Sequence, residues 1–458
     1  MEPSMPKNKK NTKRREETTE AIKFVLFSAR ENDVRFIRLW FTDILGTLKG
    51  FAITVDELEG VLNDGASFDG SSIEGLARYD EADMVAVPDP TTWQILPWRP
   101  RENAVARMFC DIQATDGSPN VTDNRQVLRN NLKRASELGL TFYVAPEIEY
   151  YYLDGEENLE PHDTAGYFDQ TSDTAGADLR RRTVLALEDM GIPVKHSHHE
   201  VSPGQHEIDL RHTNALTMAD SVITFRVIVK EIASQTGGTI TFMPRPFNDR
   251  NGSGMHTHMS LFRGDENAFF SPNVPMNLSD MGKHFIAGLL KHAPEITAIT
   301  NQWVNSYKRL VPGVEAPVYA AFTVGNLGDL IRIPAMRSGR SDSARMEYRA
   351  PDSATNPYLC FSALLAAGLA GIKGKYELPS PISGNVFDMS PVERAEHDIL
   401  ELPKSLNDAL KLARNSELLD DALGTDVLES FLKNKHIEWE QYARTVTDYE
   451  VKRYLTLL

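Results

Sequence analysis

Residues 251–260 read N-G-S-G-M-H-T-H-M-S, a glycine-rich turn running directly into two histidines one residue apart. In an extended strand, side chains two positions apart share a face, so His256 and His258 project together. Three further segments set charged groups into hydrophobic strands in the same way. In A-P-E-I-E-Y-Y-Y (145–152), Glu147 and Glu149 alternate with Ile148 and so face one way. In H-H-E-V-S-P-G-Q-H-E-I-D-L (198–210), Glu200 and Glu207 flank a Pro-Gly turn that can fold the chain until both approach one point. M-E-Y-R (346–349) adds Glu347 between apolar neighbours.

Buried carboxylates that face one another cannot all ionise without compensation, and a divalent cation supplies it. Ligation rich in oxygen and poor in nitrogen suits Mg²⁺ or Mn²⁺ rather than Zn²⁺. A single strand glutamate is usually solvated, and a single strand histidine is usually structural. Four such segments in one chain point instead to a metal site.

Arginines form a second pattern. N-S-Y-K-R-L-V-P-G-V-E-A-P (305–317) holds Lys308 and Arg309 before a Pro-Gly turn, L-I-R-I-P holds Arg332, and A-R-M-E-Y-R-A-P-D sets Arg345 and Arg349 around Glu347. Charges embedded this way require partners. Carboxylate or phosphoryl oxygens beside a metal would serve; so would structural ion pairs with the surplus acids.

The 458 residues suffice for two or three domains, and an apolar content of 41% with 25% charged residues is that of a soluble globular chain. A net charge of −16 disfavours nucleic-acid and anionic-membrane binding. Two cysteines, Cys110 and Cys360, suit a reducing cytoplasm and offer no disulfide framework. The polar N-terminus has no apolar signal core, and residues 1–17 read as a disordered tail. The longest apolar run, F-S-A-L-L-A-A-G-L-A-G-I (361–372), is too short to span a bilayer and reads as a buried helix. A first helix starts near Thr18, strands and a hairpin follow, and T-D-G-S-P-N-V-T-D-N (115–124) is the best linker. The expected architecture is α+β: a small unit over 18–115 and a larger one over 123–458, mostly helical after 350.

Taken together, F-D-G-S-S-I-E-G (68–75), P-E-I-E-Y (146–150), H-H-E-V-S-P-G-Q-H-E-I (198–208), the opening decapeptide, 305–317 and R-A-P-D-S-A-T-N-P-Y (349–358) make the chain resemble type I glutamine synthetases. The resemblance implies an N-terminal β-grasp domain, a catalytic domain with an antiparallel sheet flanked by helices, and two stacked hexameric rings with active sites between subunits. It implies ligation of ammonia to the γ-carboxyl of L-glutamate through γ-glutamyl phosphate, with ATP as co-substrate and two or more Mg²⁺ or Mn²⁺ per site. Glu149, Glu200 and Glu207 would hold one ion, and Glu147, His256 and Glu347 the other. His258 and Ser260 would contact the nucleotide, Arg332 and Arg345 would neutralise phosphoryl charge, and Asn251, Gly252, Arg309 and Arg349 would bind glutamate. Asp69 of an adjacent subunit and Glu315 of a flap would take the proton of ammonium.

Departures from the family pattern lie on the nucleotide side. Asn326-Leu327-Gly328 stands where relatives carry N-R-S, Lys195 replaces a common glutamate, and 338–345 lacks a lysine that Arg340 could replace. Losing one charge-assisted phosphate contact costs about 1.5–3 kcal/mol, so weaker ATP use is expected, relieved by Leu327→Arg. Phe387 stands where some members are adenylylated on tyrosine, so that control is not expected. Two alternatives remain at this level: a γ-glutamyl ligase for a polyamine or small alkylamine, and a catalytically weak structural or regulatory ring.

Overall fold

The computed structural model describes residues 8–458 apart from 74, 76–82, 156–158, 171–173, 314, 325–327, 337–339 and 383, with the backbone alone for 8–16 and 174–175. Leu327 and Asn326 therefore lie outside the described residues.

Period-two alternation builds the smaller unit. Strand Val34–Thr42 turns Ile37, Leu39 and Phe41 into a core shared with Val25 and Ala29 of the first helix, while Trp40 points the opposite way into the larger core with Phe109. It pairs antiparallel with Leu48–Thr54 and parallel with Ala104–Ala114. Asp83–Pro88 and Ala66–Asp69 continue the six-stranded sheet beyond Ala104–Ala114. The hairpin read from D-I-L-G-T-L-K-G is present. The first helix, however, runs over Asn8–Glu31, ten residues longer at its start than the sequence reading placed it. Lys, Arg and Glu are good helix formers, and neither Gly nor Pro interrupts the chain from Asn8 to Leu45. The polar run therefore extends a helix nucleated by its packed C-terminal half.

The linker is short and bonded rather than loose. Asp123 caps helix Asn124–Glu137 by accepting the Arg125 N–H. The Arg125 guanidinium then meets Asp89 (2.9 Å) and Asp111 (2.5 Å) of the smaller unit and Asp220 (2.9 Å) of the larger. One buried cation thus ties both units together.

The larger unit is organised on an eleven-stranded sheet. Strand Thr141–Asp154 lies between Met255–Arg263 and Gln205–Leu210, with Val194–His199 beyond the latter. Met346–Tyr348 and Ile331–Arg332 continue the sheet beyond Met255–Arg263. Ile148, Tyr150 and Tyr152 face the core, and the intervening Glu147 and Glu149 face the other way. Behind the sheet, helices Asp280–Thr300 and Pro357–Gly374 cross closely. A Cβ at Gly288 would stand 2.2 Å from the Ala367 carbonyl oxygen, and one at Gly371 2.1 Å from that of His284. Among the described residues, Pro357–Gly374 is the one helix long and apolar enough to cross a membrane by length and composition; most of it is buried in this core.

Candidate active site

Register decides which charged side chains meet. Glu147 stands opposite His256, and Glu149 opposite Glu207. Glu347 stands opposite both His258 and Arg332. Glu200 closes the hairpin between Val194–His199 and Gln205–Leu210, its N–H donating to the Gln205 carbonyl. Five strands thereby deliver their polar faces to one place.

The result is two adjoining ligand clusters. Oxygens of Glu147 and Glu347 lie 3.9 Å from His256 Nδ1, and Glu149 lies 3.7 Å from its Nε2. Glu200 and Glu207 converge with His198, at 3.0 and 3.8 Å from its Nε2. All six residues expected to bind metal are therefore brought together.

The electrostatics are those of a crowded acidic site. Burial, and next the Glu200 carboxylate, push Glu149 up to about 8 despite Arg309. Burial, Glu149 and Asp209 push Glu207 well above the usual carboxylate range. Burial would also raise Glu147, but the charge and hydrogen bond of His258 outweigh it and hold that carboxyl well below its ordinary value. Burial, Arg349 and Arg309 hold His256 well below its ordinary value and keep the ring neutral. Carboxylates forced together, beside one neutral imidazole, suit hard divalent cations.

Two cavities adjoin this wall. The smaller is lined by Glu149, Glu200, Gln205, Asn251, Gly252, His256, Arg309 and Glu315. Gly252 is needed there, because a Cβ would stand 2.4 Å from the Pro244 carbonyl oxygen and 2.8 Å from Arg309 Cγ. On the other side, a cleft of about 420 Å³ takes Glu147, His258, Ser260 and Arg345, together with Lys195 and Arg340.

The smaller unit contributes a family-model match of its own. Residues 33–115 match the family described as "Glutamine synthetase, beta-Grasp domain", and residues 121–454 match "Glutamine synthetase, catalytic domain". The chain belongs to the glutamine synthetase family. It is 53% identical over 440 residues to a glutamine synthetase of Mycolicibacterium smegmatis, covering 95% of this chain and 99% of that protein. A glutamine synthetase of Staphylococcus aureus is 46% identical, with 93% and 96% covered. A structure described as "GmaS/ADP complex-Conformation 1" superposes with a TM-score of 0.85 at 30% identity, covering 94% of this chain and 99% of that one. The Plasmodium falciparum glutamine synthetase matches in fold, with a TM-score of 0.85 at 24% identity, and coverages of 95% and 98%. The α+β architecture with its β-grasp unit is thus the glutamine synthetase fold.

Other expected residues make contacts that the sequence does not reveal. Arg332 and Arg349, assigned there to phosphoryl and glutamate oxygens, both bond Glu347 at 2.5 Å. Residue 349 follows directly on strand Met346–Tyr348, two positions from Glu347, so a shared face was predictable. His258 donates to Glu147 at 2.7 Å while also lining the cleft. Asp69 ends an edge strand of the β-grasp sheet, accepts the Ser71 N–H at 2.8 Å, and lines neither cavity. The sequence reading passed over His198, although it is two residues from Glu200, near the end of strand Val194–His199. It also passed over Gln205, which donates to Glu149 (3.1 Å) and the Gly252 carbonyl (3.0 Å). Tyr167 and Phe168, stacked at 4.1 Å with both rings edge-on to His198, come from a loop without any periodic signal.

Proposed function

We propose that this chain makes glutamine from L-glutamate and ammonia at the expense of ATP, through γ-glutamyl phosphate. The observation that carries the reading is the shared wall: one cluster of carboxylates and imidazole separates two differently shaped cavities. A phosphoryl donor in the cleft and a small acidic acceptor in the other cavity would meet across it. The ADP named in the GmaS complex supports the nucleotide assignment.

Glu149, Glu200 and Glu207 would hold one Mg²⁺ or Mn²⁺, and Glu147, His256 and Glu347 a second. Bound there, the cations would neutralise phosphoryl oxygens and favour attack on phosphorus. The protein's own groups do the rest. Arg309 and the Asn251–Gly252 turn hold glutamate with its γ-carboxylate towards the cleft. His258, Ser260 and Arg345 position the nucleotide, and Arg332 adds positive charge beside Glu347. The γ-carboxylate oxygen attacks the γ-phosphorus and ADP leaves. Glu315 and a neighbouring subunit's Asp69 take a proton from ammonium, and the freed ammonia attacks the acyl carbon to expel phosphate. Closure of the segment bearing Glu315 excludes water that would hydrolyse the acyl phosphate.

A homo-oligomer with shared sites, a dodecamer of two rings, accounts for Asp69 lying apart from the cluster in its own chain. Exposed Phe24, Phe27, Leu455 and Leu457 support burial by other copies. Sedimentation is expected to give twelve times the chain mass; a monomer would remove Asp69 from the mechanism. Two free buried cysteines support a cytoplasmic setting. The domain division proposed is a polar N-terminal segment over 1–17, helical from Asn8 onward, a β-grasp unit over 18–115 and a catalytic unit over 123–458.

Phosphate release from ATP and glutamate, assayed with ammonium, putrescine, ethanolamine or no amine, tests the reading. Ammonium is expected to support release, chelation to abolish it, and Mg²⁺ or Mn²⁺ to restore it. Release with a polyamine alone would reassign the acceptor, and none with any amine would refute the ligase.

A further inference from the structure

Behind the Glu200–Glu207 hairpin, on the face turned away from the cavities, lies a second buried group that the mechanism above does not use. The Asp163 carboxylate accepts the Gly204 N–H at 2.7 Å. It also stands 3.0 and 3.1 Å from His199 Nε2, and 3.6 Å from His206 Nε2. His199 ends one strand of the hairpin, Gly204 lies in its turn and His206 lies on the returning strand. One side chain therefore holds the hairpin by hydrogen bonds at two places, His199 and Gly204, with the neutral His206 ring packed beside it. The hold reaches a ligand directly, because His199 Nδ1 donates to the Glu200 carbonyl oxygen at 2.6 Å.

Asp163, His199 and His206 also present ligand atoms within 4.8 Å of one another, the spacing of a metal site. Hydrogen bonding argues against one. Arg180 lies 2.6 Å from His206 Nδ1, and a guanidinium only donates. Nδ1 must therefore accept, which places the ring proton on Nε2 and leaves no lone pair towards Asp163. The cluster is a brace rather than a cation trap.

We propose that Asp163 is a positioning residue: through His199 and Gly204 it fixes Glu200 and the turn that leads back to Glu207, and so sets the affinity of the cation they share with Glu149. Residues 163–168 act as one bracket. Phe168 donates its N–H to the His199 carbonyl at 3.1 Å. It does so from a left-handed backbone (φ 60°) that a bulky residue adopts only when its surroundings impose it. Gly176 of the next helix packs against the brace, where a Cβ would stand 3.1 Å from the His206 ring.

The inference rests on the two-cation reading, and Mn²⁺ binding without substrates tests the two separately. Calorimetry gives affinities, and anomalous scattering gives the occupancy of each position. Asp163→Ala is expected to weaken the ion at Glu149, Glu200 and Glu207 by about 10- to 100-fold, the usual effect of removing a group that orients a ligand. The ion at Glu147, His256 and Glu347 should keep its affinity. Asp163→Asn, which still accepts the Gly204 N–H, should lose less, and it carries the test if the alanine variant does not fold. Unchanged binding in both variants, or equal weakening of both ions, would overturn the inference alone. A parent protein that binds no Mn²⁺ would overturn the two-cation reading and this inference with it.

Discussion

Glu347→Ala is expected to lower phosphate release by about 10³-fold or more, the scale of losing a charged group at a phosphoryl-transfer centre. The same change should reduce tight Mn²⁺ binding from two ions to one. Glu347 is fully buried, faces His256 at 3.9 Å and neutralises both Arg332 and Arg349 at 2.5 Å. Its removal leaves the second cluster with two ligands and strands the deeply buried Arg349 guanidinium. Breaking a buried pair from one side costs about 3–5 kcal/mol, so the melting temperature should fall as well. Glu347→Gln separates the effects, because it keeps the shape and removes the charge. Turnover in either variant within tenfold of the parent would exclude Glu347 as a ligand.

The second large effect concerns stability. Arg125→Met is expected to destabilise the chain by about 3–5 kcal/mol, read as a shift in the denaturation midpoint, because Asp220 would lose its guanidinium partner and Asp89 and Asp111 would keep Arg129 alone. The pH dependence follows from Asp89. Burial raises its carboxyl, but Arg125, together with the Thr91 hydrogen bond and Arg129, outweighs burial and brings it down to about 2, from an ordinary 3.8. A depressed acid stabilises the fold above its unfolded value. This contribution, about 2 kcal/mol, is complete above about pH 4 and disappears as the pH falls through 2. In Arg125→Met that acid-dependent loss should shrink, with Thr91 and Arg129 keeping part of it. A variant melting like the parent at pH 7 would show the junction to be held by apolar packing alone.

Much of this was legible in the sequence because strand alternation is a local rule. Glu147 with Glu149, and His256 with His258, could be assigned to common faces without any knowledge of neighbours. The Pro-Gly turn announced that Glu200 and Glu207 would approach each other. The resemblance supplied the division into ions and the β-grasp unit. What alternation cannot give is register: whether His256 faces Glu147 or slips two residues along depends on how strands far apart in the chain align. For the same reason, the destination of Arg332 was invisible. Its partner Glu347 lies fifteen positions away on the next strand, so substrate oxygens were an equally good match. Asp163 and Tyr167 lie in a loop whose composition resembles many others. The first helix was cut short because its polarity was taken for disorder, although the charged run is composed of helix formers.

Every carboxylate of the clustered set except Glu200 rides on a strand of one continuous sheet, whereas Tyr167, Phe168 and Glu315 stand on connecting segments at the rim. Glu200 is thus the one member of the set whose place depends on neighbouring loops, the 163–168 segment above all. Changes at the exposed Glu315 can alter the entrance with the strand-borne carboxylates left in place.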